Sequence, residues 1–197
     1  GDVYKRQKEA LAPVLTPGFI LSYENGGLYF DLESPTYEGI SLNGSEVSIL
    51  NLRKPDTHLK LKIRTHTRLG SEIRHLLEAY DIVLPLDQTS GKAKVLFMAD
   101  LGLKNRYQDF YVNVDFDKSD LWLKKVKLPI EKGNLQYKQG WVTLKDIYIK
   151  DANYEGLLNG KIDMQKKKAD MILEAETIAL GDEKKKFFVL KNEALPF

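Results

Sequence analysis

The sequence has 197 residues, 43% of them hydrophobic and 29% charged, with a formal net charge of +2; this is enough chain for one large domain with a sizeable core, and it excludes global disorder. A balance so near neutral gives no ground for nucleic-acid binding through counterion release. With no cysteine there is no disulfide, thiol nucleophile or thiolate ligand, which suits an oxidising compartment, and no apolar run reaches the length of a membrane-spanning helix.

The opening heptapeptide leads into no regular element. Asp2-Val3-Tyr4-Lys5-Arg6-Gln7 is the translation of GAT GTG TAT AAG AGA CAG, a string that resembles the transposon mosaic end used in sequencing-library preparation. Residues 1–7 are therefore set aside as an adapter scar. Residues 8–197 are read as a single segment cut short at both ends, since Leu195-Pro196-Phe197 has the look of another strand beginning.

Beyond it, period-two alternation dominates. LYFDLE from Leu28 and EVSILNL from Glu46 are the first strand candidates. Leu59, Leu61 and Ile63 then point one way while Lys60, Lys62 and Arg64 point the other, the pattern of a strand with one dry face. A helix interrupts at Ser71: Ser71 is placed to cap it, Glu72 suits its positive end, and Ile73, Leu76, Leu77 and Tyr80 form a stripe over about three turns. It stops before the Ile82–Leu86 run, where Pro85 forbids continuation. Ala93, Val95, Phe97 and Ala99 form the next row, followed by Phe110, Val112, Val114 and Phe116. LWLKKV from Leu121, WVTLKDIYI from Trp141 and GLLNGKID from Gly156 follow, then the row Ala169, Met171, Leu173 and Ala175, and finally FFVL near the C-terminus. Asn25-Gly26-Gly27, Asn43-Gly44, Lys132-Gly133-Asn134 and Lys138-Gln139-Gly140 read as turns. Links this short make antiparallel neighbours, so the expected fold is a mainly β meander of about ten strands with one short helix. One helix covers only part of so long an apolar face. The rest must meet a second sheet, further chain, or something that is not protein.

Motifs that carry chemistry are scarce. His58, His66 and His75 lack metal-ligand spacing. Carboxylate pairs such as Asp115 with Asp117, or Asp81 with Asp87, lie beside no nucleophile or cofactor motif, and no phosphate loop, dinucleotide fingerprint or nucleophile elbow occurs. Asn43-Gly44-Ser45 matches a glycosylation sequon that chance explains in a polar turn. Lys166-Lys167-Lys168 and Lys184-Lys185-Lys186 fall between strand patterns; they read as solvated charges that discourage edge pairing, with contact to lipid headgroups as the alternative. No catalytic residue, metal or cofactor is expected.

Three stretches together resemble the AsmA-like, YhdP-type family of bacterial envelope proteins: Ser71 to Phe97 (SEIRHLLEAYDIVLPLDQTSGKAKVLF), Leu121 to Ile149 (LWLKKVKLPIEKGNLQYKQGWVTLKDIYI) and Tyr154 to Asp163 (YEGLLNGKID). Each is a strand-turn-strand cadence without a catalytic invariant, so order and spacing carry the likeness. The resemblance implies a periplasmic chain anchored in the inner membrane. Its repeated β-segments would curl into an open, U-shaped, taco-like groove that moves phospholipids between the inner and outer membranes without catalysis. The implied partners are phospholipids, the remaining repeats of the same chain and, through an anchor outside these residues, the inner membrane; nucleic acid is not among them. On that implication the groove lining comprises Leu59, Leu61, Ile63, Val95, Phe97, Phe110, Val112, Val114, Phe116, Met171 and Leu173. The competing expectation is a non-catalytic β-sandwich scaffold or protein-interaction module of the envelope. What covers the row Val112, Val114 and Phe116 decides between them.

Overall fold

The structure, a computed structural model, describes residues 12–123, 126–151, 154–178 and 185–194. The strands are β1 (Gly18–Glu24), β2 (Gly27–Glu33), β3 (Thr36–Tyr37), β4 (Ile40–Ser41), β5 (Glu46–Leu50) and β6 (His58–Thr67). After the helix α1 (Ser71–Glu78) come β7 (Asp87–Gly102), β8 (Gln108–Leu123), β9 (Val126–Lys138), β10 (Trp141–Lys150), β11 (Tyr154–Asp163), β12 (Lys168–Ile178) and β13 (Lys185–Ala194).

Eleven of these strands form one antiparallel sheet in the order β1-β2-β5-β6-β7-β8-β9-β10-β11-β12-β13, while β3 and β4 pair with each other. Every strand of the large sheet pairs with its neighbour in the chain, once the small hairpin is passed over; most of the links are short and force antiparallel neighbours, while β6 and β7 are joined by the longer segment 68–86. Asn25 (φ 48°) with Gly26 (φ 76°), and Gln139 (φ 48°) with Gly140 (φ 80°), supply the left-handed conformations that two-residue hairpin turns need. The sheet does not close, as β1 and β13 are its two ends. The result is the expected open β-groove. Irregular registers between β7 and β8 and between β9, β10 and β11, with Lys118 (φ 43°) and Asp146 (φ 50°) in left-handed backbone, bend the long strands.

Five local readings change. LWLKKV is not a strand of its own: Leu121 to Leu123 end β8 and Val126 opens β9. Lys132-Gly133-Asn134 is not a turn but the middle of β9. Glycine is needed there because the neighbouring strand crosses it closely; a Cβ on Gly133 would lie 2.5 Å from Ile147 Cδ1 and 2.8 Å from its Cα. The helix spans 8 residues, nearer two turns than three. Its N-cap is Gly70, with no side-chain cap, and Ser71 is its first helical residue. The Phe19–Tyr23 stretch forms β1, a strand that its unbroken Phe19-Ile20-Leu21 run conceals from a period-two reading. The heptapeptide, Lys184 and Leu195 to Phe197 lie outside the described residues.

Candidate functional site

Register joins the alternating rows into one apolar face. Ile63 faces Phe97, Phe97 faces Val112, Val112 faces Tyr137, Tyr137 faces Val142, and Val142 faces Ile162. One step along, Val95, Val114, Leu135 and Leu144 repeat the pattern. Leu59 and Leu61 continue the face on β6, Phe110 and Phe116 on β8, and Met171 and Leu173 on β12. All eleven candidate lining residues therefore share a single side of the sheet, because directly opposed residues of antiparallel strands point the same way.

The centre of that face is filled by the chain itself. Residues 68–86, the connection between β6 and β7, fold back over it as a strap. Leu69, Ile73, Leu77, Ile82, Leu84 and Leu86 form one buried cluster with the central rows, within which Val112 and Val114 are 0% exposed. Tyr80 seats the strap by setting its ring 5.3 Å from that of Phe97 and 5.2 Å from that of Phe110, centroid to centroid. Burial raises the Tyr80 hydroxyl pKa above its ordinary 10.0. The β3–β4 hairpin reaches the same area: burial chiefly, then Glu38 and Tyr80, raise the pKa of Tyr37. The strap's ends are tied by polar groups. Leu69 N–H donates to Gln88 Oε1 (2.8 Å), Gln88 Nε2 donates to Ser119 Oγ (2.9 Å), and Arg74 pairs with Asp87. The row at Val112, Val114 and Phe116 thus meets neither a facing sheet nor open space, but this strap. The cavity remaining between Pro85, Leu86, Phe116, Leu128, Ile147 and Leu158 is about 20 Å³. That is room for a water-sized probe and no acyl chain.

Towards β1 the same face is open. Tyr23 opposes Leu28, which opposes Ile49 and then Leu59; Leu21 opposes Phe30, then Val47 and Leu61; Phe19 opposes Leu32. Phe19, Leu21 and Tyr23 are 58%, 51% and 69% exposed, and Phe19 leans on Phe30 with ring centroids 6.1 Å apart. Leu28, Phe30, Leu32, Val47 and Ile49 behind them are half-buried, and Ile20 is 71% exposed on the other side of β1; the run of apolar side chains across three strands on one side is what marks a candidate binding surface. Sequence reading missed Phe19, Leu21 and Tyr23. The turn at Asn25-Gly26 was the available signal, since a hairpin there requires a strand on its N-terminal side.

The polar candidates serve the framework. His58 Nδ1 lies 2.6 Å from Asp100 Oδ1 on the opposite side of the sheet from Leu59. Asp115 accepts hydrogen bonds from Asn113 (3.0 Å) and Asn134 (2.6 Å). Asp87 is the partner of Arg74 at the foot of the strap. Among the described residues no three His, Asp or Glu side chains are grouped to hold a metal ion, and no helix is long and apolar enough to cross a membrane.

No curated protein and no solved structure matches the chain. A family profile described as "YhdP protein" matches residues 8–179, a span that holds the open apolar face, the strap and every strand up to and including β12; hence the chain belongs to the YhdP family.

Proposed function

We propose that this chain is a stretch of a periplasmic lipid-transfer groove that carries phospholipid acyl chains between the inner and outer membranes. The observation that carries the reading is the open apolar face of β1, β2 and β5, continuous in register with the strap-covered centre and lacking a facing sheet among the described residues. Each methylene laid on such a face gains about 0.8 kcal/mol over water. The headgroup stays in solvent and avoids the cost of burying a charge. Transfer asks only that successive positions along the groove be near equal in energy, so no catalytic group is involved. Phospholipids are the proposed cargo. Further repeats of the same protein and, through an anchor elsewhere in it, the inner membrane are the proposed partners.

The packed centre favours a second reading for that stretch, a self-filled envelope scaffold. Photo-crosslinking separates the two. A photoreactive amino acid replaces Leu21 or Phe30 on the apolar side, or Ile20 or Asp31 on the other side of the same strands. Phospholipid adducts in cells at Leu21 and Phe30 alone are expected. Protein adducts only, or equal lipid labelling of both sides, would remove the transfer reading in favour of the scaffold.

A further inference from the structure

In an up-and-down sheet alternate connections fall on the same edge of the groove, so topology sorts the chain's charges onto two rims. One rim carries the β1–β2, β5–β6, β7–β8, β9–β10 and β11–β12 turns. These turns are stitched to one another: Leu52 N–H donates to Gly26 O (3.0 Å), Leu103 N–H to Thr57 O (2.9 Å), and Met164 N–H to Gly140 O (2.9 Å). Lys104 Nζ also reaches across to Lys54 O (2.8 Å). The exposed charges on this rim are predominantly basic: Arg53 and Lys54, then Lys104 and Arg106, then Lys138, then the run from Lys166 to Lys168. Its acids, exposed Glu24 together with Asp56 and Asp163, are fewer and partly occupied. Asp56 accepts from Asn51 (2.6 Å), and Asp163, only 7% exposed, accepts the backbone N–H groups of Gln165 (3.0 Å) and Lys166 (2.9 Å). Counted in the same way, the opposite rim leans the other way among the described residues, with Glu38, Glu72, Glu78, Asp81, Asp87 and Asp151 against Arg68, Arg74, Lys150 and Lys185; Lys124, Lys125 and residues 182–184 lie outside them.

We propose that the basic rim is a binding surface for the phosphate of phospholipid headgroups, a row of stepping positions beside the apolar face. This rests on the lipid-transfer reading and adds headgroup chemistry to it. Consecutive turns on one rim are separated by two strand spacings, about 10 Å. That is close to the Debye length of about 8–10 Å near physiological salt, so a phosphate leaving one turn is already drawn by the next. Acyl chains on the apolar face bring the headgroup to a rim, and opposite charge selects this rim over the other.

The test compares binding of three probes to the purified chain: dioctanoyl phosphatidylglycerol, dioctanoylglycerol with the same tails and no phosphate, and inorganic phosphate. The rim variant combines Arg53→Gln, Arg106→Gln, Lys138→Gln and Lys167→Gln. The control combines Lys92→Gln, Lys94→Gln, Lys132→Gln and Lys145→Gln, exposed strand positions that change the charge equally. A phosphate beside two basic side chains gains about ten- to thirty-fold in affinity at a surface. Expected is a preference of that size for the phospholipid over the diacylglycerol, lost in the rim variant, kept in the control and shrinking with added salt. Equal binding of the two lipids, or a preference that survives in the rim variant, overturns the inference while leaving acyl-chain binding intact. Inorganic phosphate binding as tightly as the phospholipid overturns it too, as the mark of a general anion site. Binding of neither lipid to the unmodified chain removes both the rim inference and the transfer reading.

Discussion

Tyr80 is where the helix, the strap and the groove wall meet, so its truncation tests the whole arrangement of the covered centre. Removing a buried aromatic side chain such as Phe97, 2% exposed, costs about 3–5 kcal/mol. Tyr80 is half-buried but contacts two rings, so Tyr80→Ala costs about 2–3 kcal/mol, roughly half a full aromatic deletion plus the ring-pair energies. With a urea slope of about 2 kcal/mol/M, the unfolding midpoint falls by about 1 M. The double variant with Phe97→Ala then loses less than the two single losses added together, by about 0.5–1.5 kcal/mol, because the Tyr80–Phe97 contact is removed only once. The assay is urea unfolding of the four proteins followed by circular dichroism. A Tyr80→Ala loss within 0.5 kcal/mol of zero, or strict additivity with Phe97→Ala, would refute the seating of the strap on β7 and β8.

Gly133→Ala pushes a methyl into buried Ile147 and destabilises by about 1–3 kcal/mol; in thermal unfolding, the double variant with Ile147→Ala loses less than the two single losses added together, because the clash with the Ile147 side chain is gone. Gln88→Leu leaves the buried Leu69 N–H without its acceptor and takes away the donor to Ser119 Oγ, which keeps its own donation to Asp117 O (3.2 Å); the loss is about 1–3 kcal/mol by urea titration, with faster hydrogen exchange at Leu69. The tyrosines set an alkaline limit. With folded pKa values raised above 10.0, the folded state holds protons that the unfolded chain has released; this contribution is therefore complete below pH 10 and lost as pH climbs through the raised values. Tyr37→Phe with Tyr80→Phe flattens the fall in melting temperature above pH 10, and an unchanged slope would show that other groups set it.

Much of the framework was readable because alternation is a local property. Leu59-Leu61-Ile63 and Phe110-Val112-Val114-Phe116 commit their strands to one dry face whatever they pair with, and Asn25-Gly26 and Gln139-Gly140 commit the chain to tight reversals. Local pattern misled where a distant contact set the backbone. Gly133 reads as a turn residue, yet it sits inside β9 because Ile147 of the next strand crosses it. LWLKKV reads as one strand, yet the chain reverses within it. Ser71 has the chemistry of a cap, yet it is the first helical residue, and the cap position falls on Gly70, which has no side chain to fill it.

By itself the sequence determined an all-but-helix-free antiparallel meander and, from β6 onward, rows of residues that share its apolar side; periodicity and turn chemistry are written in neighbouring positions. Only the tertiary structure decided what lies on the apolar side. Residues 68–86 read as a helix and a link, but packing their leucines and isoleucines against β7 and β8 removes apolar surface from water on both partners at once. The strap therefore covers the centre and leaves Phe19, Leu21 and Tyr23 open. Strand order likewise decided the rims: lysines and arginines scattered from Arg53 to Lys168 become neighbours only because alternate turns of an antiparallel sheet come to the same edge.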